Sequence, residues 1–199
     1  MKPYAVEDAE EELGIAYAAQ DWHAVELIAD QLDRLSPLRV VTVHAAALWY
    51  AEQGLPVFPT QPLSKQPHRG SRGLKDATTD ANQINRWWGE HEDSNVAIAT
   101  GHRIDVVDFD GLPGHIAWGK TYRDRWAGLT RLASVSTPRP GGLHIWVPAQ
   151  AKSRNGAKMM PGVDYRGLGG YVLAPPSVLD SRDGQHAGTY AFLLKPTTL

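Results

Sequence analysis

The sequence predicts an α+β domain built on a largely antiparallel sheet, and three observations carry that expectation. Short apolar runs of strand length recur between residues 55 and 174. Helical periodicity is confined to separate stretches, and the two patterns are mixed without the strict alternation of a parallel βαβ sheet. At 199 residues, with a hydrophobic fraction of 42%, the chain is long enough to bury a substantial core. One domain, or one domain with an appendage, is expected.

The appendage comes first. Residues 5–19 and 22–35 read as two helices; in the second, Asp21 suits an N-cap and Trp22, Val25, Ile28, Leu32 and Leu35 fall at helical spacing. Ser36-Pro37 closes it. Residues 1–38 hold nine acidic and two basic side chains, a charge of −7, whereas residues 39–199 carry +5 within the net −2. An acidic helical extension over 1–38 is therefore expected before a moderately basic domain over 39–199. The extension would repel a polyanion and suits a partner surface or a cover; the basic body would tolerate one.

A third helix is expected over 39–52, ending at Gly54, then a strand over 55–59. From Thr60 to Thr79 the chain is rich in Pro, Gly, Lys and Arg without periodicity, which marks a long loop of the kind that is often functional. Asp80 with Gln83 forms a capping-box pattern before a helix whose apolar side is Ile84, Trp87 and Trp88. Strands follow at 95–101 and 104–110. A helix after Gly111, carrying Ile116, Trp118, Tyr122 and Trp126, is expected to cover the sheet. Runs at 133–136 and 143–147, joined by Thr137-Pro138-Arg139-Pro140-Gly141-Gly142, suggest a hairpin. The last clear strand is 170–174, stopped by Pro175-Pro176.

Composition excludes several chemistries. With no cysteine, disulfides, zinc-thiolate sites and cysteine nucleophiles are impossible, so any metal must be held by oxygen or histidine. There is no apolar run of eighteen residues and no signal-peptide pattern after Met1, so no membrane association is expected and the location expected is cytoplasmic. Neither a Walker A loop nor a Gly-x-Ser-x-Gly elbow is present.

What remains is carboxylate chemistry. Asp108 and Asp110 end the run Ile104 to Gly111, and residues two apart on a strand share a face. Paired carboxylates repel unless a cation sits between them, and hard divalent cations prefer such oxygens; the same pattern also suits a solvated acidic turn. In Gly141-Gly142-Leu143-His144, the histidine faces away from Leu143 and Ile145, beside two glycines whose backbone could admit a bulky anion. Asp164 and Arg166 share a face by the same argument, as a third carboxylate or as a structural ion pair. The loop with Lys65, His68, Arg69, Arg72 and Lys75 is basic enough to meet a phosphate backbone, or to be merely solvated. Trp87 and Trp88 suit core packing better than base stacking.

Three segments in order closely resemble the motifs of the bifunctional primase-polymerase domain of the archaeo-eukaryotic primase superfamily. They are Val107-Asp108-Phe109-Asp110-Gly111, then Thr137 to His144, then Val163-Asp164-Tyr165-Arg166-Gly167-Leu168-Gly169-Gly170 through Ser177. Upstream, Gly54 to Pro59, Lys65-Gln66-Pro67, Asp76 to Asp80, Trp87-Trp88 and Asn95 to Gly101 are similar to that family's spaced signature, so the resemblance runs from about residue 41 to about 194.

The resemblance implies an RNA-recognition-motif-like antiparallel sheet packed against a smaller α/β unit, with the site between them. It implies a DNA primase and DNA polymerase of a phage or plasmid replication type, transferring nucleotides from NTP or dNTP to a 3′-hydroxyl by two-metal catalysis. Asp108, Asp110 and Asp164 would hold Mg2+ or Mn2+, and His144 would meet the triphosphate. Arg166, Lys65, Arg139, Gly141 and Gly142 would contact nucleotide or template. Implied partners are a single-stranded DNA template, nucleoside triphosphates and a helicase domain or other replication proteins. Relatives usually continue into a helical segment and a helicase, so this chain, which stops at Leu199, is expected to be part of a larger protein. The zinc-binding stem of many relatives is missing or replaced, as there is no cysteine. Two other readings stay open: a metal-dependent nuclease using the same carboxylates, and a non-catalytic initiator module that binds nucleotide or single-stranded DNA.

Overall fold

The computed structural model describes residues 42–122, 130–181 and 186–196. The helices expected over 5–19 and 22–35, and Trp126, lie outside them.

Helix α1, Val43–Glu52, begins where Thr42 Oγ1 accepts the backbone N–H of Ala45 at 3.1 Å. It ends at Gln53, and Gly54 then takes a left-handed φ of +77°. Strand β1, Val57–Thr60, starts two residues later than expected, because the Leu55 N–H is still bonded to Tyr50 O of the helix. The loop to residue 79 holds a single 3-10 turn, Gly73–Asp76. Helix α2, Ala81–Glu90, is capped by Asp80, whose Oδ1 accepts the Asn82 N–H at 2.9 Å. The capping box is half formed, since the Gln83 side chain accepts instead from Arg86 at 2.6 Å. Ile84 and Trp88 are buried, and Trp87 packs partly against the same core.

Strands β2, Asn95–Ala99, and β3, Ile104–Phe109, follow, then helix α3, Leu112–Tyr122. Next come β4, Ala133–Ser136; β5, Leu143–Pro148; β6, Gly156–Met160; β7, Val163–Arg166; and β8, Tyr171–Leu173. Three short strands complete the described chain: β9, Val178–Leu179; β10, Gly188–Thr189; and β11, Ala191–Leu194. A three-stranded sheet has the order β1-β2-β8, and a six-stranded sheet has the order β11-β4-β5-β3-β7-β6. Every pairing in both is antiparallel, so the expected α+β architecture on antiparallel sheets is present.

Alternation along the strands assigns each face of the large sheet a task. Ile104, Val106, Ala133, Val135 and Trp146 point into a core shared with α1, α2 and the small sheet, through Tyr50, Ile84, Trp88, Ile98 and Val172. The opposite face is covered by α3, where the Phe109 ring lies 4.9 Å from His115 and 5.5 Å from Trp118. Ile116, expected to face the sheet, is 48% exposed. The cause is Gly114, which meets Gly162 so closely that a Cβ would fall 2.1 Å from its carbonyl oxygen. With residues 114 and 118 inward, residue 116 is turned about 200° away.

Candidate active site

Strand β3 runs between β5 and β7, and the register places Asp108 opposite His144 on one side and Asp164 on the other. Residues directly opposite share a face. One step back along that face, Val106 pairs with Trp146 in the core. The site therefore continues the core stripe, at the point where the apolar rows of the sheet give way to polar ones.

Arg166 is opposite Val106, and its guanidinium reaches forward to both carboxylates. Its Nη2 donates to Asp164 Oδ2 at 2.7 Å and to Asp108 Oδ2 at 3.2 Å. On the other side His144 Nε2 lies 3.4 Å from Asp108 Oδ1. Burial by itself would raise the Asp108 carboxyl; His144 and Arg166 outweigh it together and hold the group well below the usual carboxylate range. His144 is 5% exposed, and its Nδ1 is buried with no hydrogen bond among the described residues. A buried polar nitrogen without a partner costs free energy that a ligand's hydrogen bond would recover.

Asp110 stands just past the end of β3, so the period-2 argument does not govern its side chain. Its N–H donates to Gly162 O at 2.8 Å, and its carboxylate pairs with Arg139 Nε at 3.2 Å, both half exposed. Gly111 turns the chain there with φ +78°, under Pro140 O. Asp108 and Asp110 nonetheless open on the same cleft.

That cleft has two lobes, of about 250 and 290 Å³, which share Lys65, Asp108, His144, Arg166 and Tyr190. Asn155, Gly169, Gly170 and Tyr171 extend the first; Asp110, Arg139 and His186 extend the second. Lys65 is fixed by the Tyr171 hydroxyl, which donates to its carbonyl at 3.1 Å. Burial lowers the Lys65 ammonium and the charges of Asp108 and Asp110 oppose that, which places it in the field of both.

The remaining basic residues of its loop line neither lobe, and two of them are engaged elsewhere. Arg72 pairs with Asp76 at 2.7 Å, and His68 stacks on His91 with ring centroids 4.5 Å apart. Gly141 and Gly142 line neither lobe. Gly142 N–H is taken by Arg139 O at 2.7 Å, and a Cβ there would meet Thr137 Oγ1 at 2.1 Å, so these glycines close the hairpin turn. Tyr190, Asn155 and His186 were not singled out by sequence. Tyr190 lies between β10 and β11, strands too short to leave a pattern.

Among the described residues no three acidic or histidine side chains are gathered to hold an ion by themselves. Asp108 and Asp110 are hard oxygen donors facing one cleft, and magnesium is commonly held by one or two carboxylates with substrate phosphates and water. Two carboxylates fit that demand; Asp164, paired with Arg166, lines neither lobe.

Among the described residues no helix is long and apolar enough to cross a membrane. None of the curated proteins matches the chain. The family model for bifunctional DNA primase/polymerase, N-terminal, matches residues 47–199, the stretch that holds every described strand and the whole cleft. The chain belongs to the bifunctional DNA primase/polymerase family, whose members carry out nucleotidyl transfer in DNA replication.

Proposed function

We propose that this cleft performs template-directed nucleotidyl transfer, taking nucleotides from NTP or dNTP to a 3′-hydroxyl in primer synthesis, primer extension or both, in phage or plasmid replication. The observation that supports it most is Asp108, a partly buried carboxylate opposite both His144 and Asp164 at the floor of a cleft lined by Lys65, Arg166 and Arg139. We assign residues 39–199 to this catalytic domain and 1–38 to an accessory extension. A helicase domain or other replication proteins would present the single-stranded template.

Phosphoryl transfer spreads negative charge over oxygens, so the protein must chiefly align the reactants and offset that charge. Asp108 and Asp110 would hold Mg2+ or Mn2+, which when bound lowers the pKa of the attacking hydroxyl and steadies the pyrophosphate. The cationic wall serves the triphosphate. Lys65 and Arg139 face it across the cleft, and His144 lines both of its lobes. Arg166 holds Asp108 and Asp164 together, preventing their mutual repulsion before substrate arrives.

The test is incubation with single-stranded DNA, labelled nucleotides and Mg2+ or Mn2+, with and without a primer. Product in either arm that disappears when nucleotides are omitted supports the reading. Shortening of labelled DNA without nucleotides would instead reveal a nuclease, and nucleotide binding with no product a non-catalytic module.

A further inference from the structure

Beyond the first lobe of the cleft lies a larger groove of about 740 Å³, lined by Ala151, Lys152, Ser153, Arg154, Asn155 and Leu168. Asn155 lines both, so the two concavities adjoin. The groove is built from the β5–β6 loop and the glycine-rich loop after β7, which meet backbone to backbone. Asn155 N–H donates to Leu168 O at 3.0 Å, and a Cβ on Gly167 would lie 2.8 Å from Arg154 O.

The β5–β6 loop is fixed from below by a fully buried carboxylate. Asp105 accepts from the Gln150 backbone N–H at 2.9 Å, the Ser153 hydroxyl at 3.0 Å and the Tyr165 hydroxyl at 2.7 Å. Three donors converging on one buried carboxylate hold a surface loop in a single position. What that loop displays is positive charge: Lys152 and Arg154 are exposed, and neither pairs with a carboxylate among the described residues. No acidic residue occurs at 149–156 or at 167–174. His102 is exposed on the adjoining β2–β3 loop, whose Gly101 packs under Leu168, and Leu168 itself is 55% exposed. A fixed cationic rim beside an exposed apolar side chain complements a single nucleic-acid strand, phosphates outward and a base face on the leucine.

We infer that this groove carries single-stranded DNA away from the reaction centre, with Lys152 and Arg154 on its phosphates. The inference rests on the polymerase reading of the cleft and adds the path of the strand to it. Each phosphate contact to a single strand contributes about 0.7 to the salt slope of binding, so removing two lowers the slope by about 1.4 and weakens binding at physiological salt roughly tenfold.

The experiment measures fluorescence anisotropy of a labelled single-stranded oligodeoxynucleotide with the wild type and K152Q/R154Q across a salt series. Binding of a fluorescent nucleoside triphosphate with Mg2+ is measured in parallel. The expected result is a tenfold weaker, less salt-dependent hold on the oligonucleotide with nucleotide affinity unchanged. Unchanged oligonucleotide affinity and slope overturn the inference, as does an equal loss of nucleotide affinity. If the wild type incorporates nucleotides in either case, the strand path alone has failed; if the wild type binds neither ligand, the polymerase reading falls with it.

Discussion

Removing Arg166 tests how the site is held together. In Arg166→Met the aliphatic part of the side chain is kept, while the guanidinium between Asp108 and Asp164 is lost. The two hydrogen bonds of Nη2 bound the separation of the carboxylate oxygens at about 6 Å, where unit charges repel by about 3 kcal/mol at an effective dielectric of about 20. Both side chains are only 15% exposed, so water relieves little of this. Urea denaturation at pH 7 should show R166M less stable by about 3 kcal/mol. The pH dependence should differ in sign. In the wild type the Asp108 carboxyl lies below its ordinary value, so its stabilising contribution is complete above about pH 4 and is lost as pH falls through the lower folded value. In R166M the unneutralised pair takes up a proton more readily when folded, so its penalty fades as pH is lowered from 7 toward 4. His144 and Lys65 face the pair in both proteins. A loss under about 0.5 kcal/mol at pH 7, with parallel pH curves, would refute the reasoning, since it is then smaller than an ordinary surface substitution.

Other perturbations probe separate parts of the account. Asp105→Ala leaves three donors without their acceptor and should cost about 2–4 kcal/mol in urea denaturation. Gly101→Ala and Gly70→Ala both place alanine at φ +85°, but a Cβ at 101 would meet Leu168 Cα at 2.2 Å, whereas at 70 it meets open space. Gly70→Ala should cost about 1–2 kcal/mol from the backbone alone and Gly101→Ala distinctly more, which calorimetry resolves. His144→Ala should raise the nucleotide KM by roughly tenfold or more, the worth of one charge-assisted hydrogen bond, while a change confined to kcat would assign the imidazole to chemistry instead.

Much of the fold was legible because its strands are short, apolar and bounded by Gly and Pro. The β4–β5 hairpin, β2, β3 and β8 lie within a residue or two of their expected places. Strands β6, β9, β10 and β11 left no pattern, being short and partly exposed, and they bring Tyr190 and His186 to the cleft. Helix α3 covers the sheet with Trp118 as expected, but Ile116 faces out, because a helix with apolar residues on several sides does not reveal which is covered. That depended on Gly114 meeting Gly162, a tertiary contact no periodicity encodes. In the site, alternation put Asp164 and Arg166 on one face, and they form an ion pair there. It also placed Asp110 on the strand with Asp108, but β3 ends one residue earlier, and Asp110 reaches the cleft through the turn at Gly111. The glycines before His144 make a tight turn, with Thr137 Oγ1 and Arg139 O lying against Gly142, a packing role that sequence spacing does not encode. The groove at Lys152 and Arg154 was invisible in one dimension, since its walls are separated by twelve or more residues.

The proposed nucleotide transfer depends first on Asp108 and Asp110. Single-turnover addition of one labelled nucleotide to a primed single-stranded template, with Mn2+ or Mg2+, compares the wild type with Asp108→Ala/Asp110→Ala, circular dichroism verifying the fold of each. The account predicts extended primer from the wild type and none from the variant; equal extension by both would contradict it.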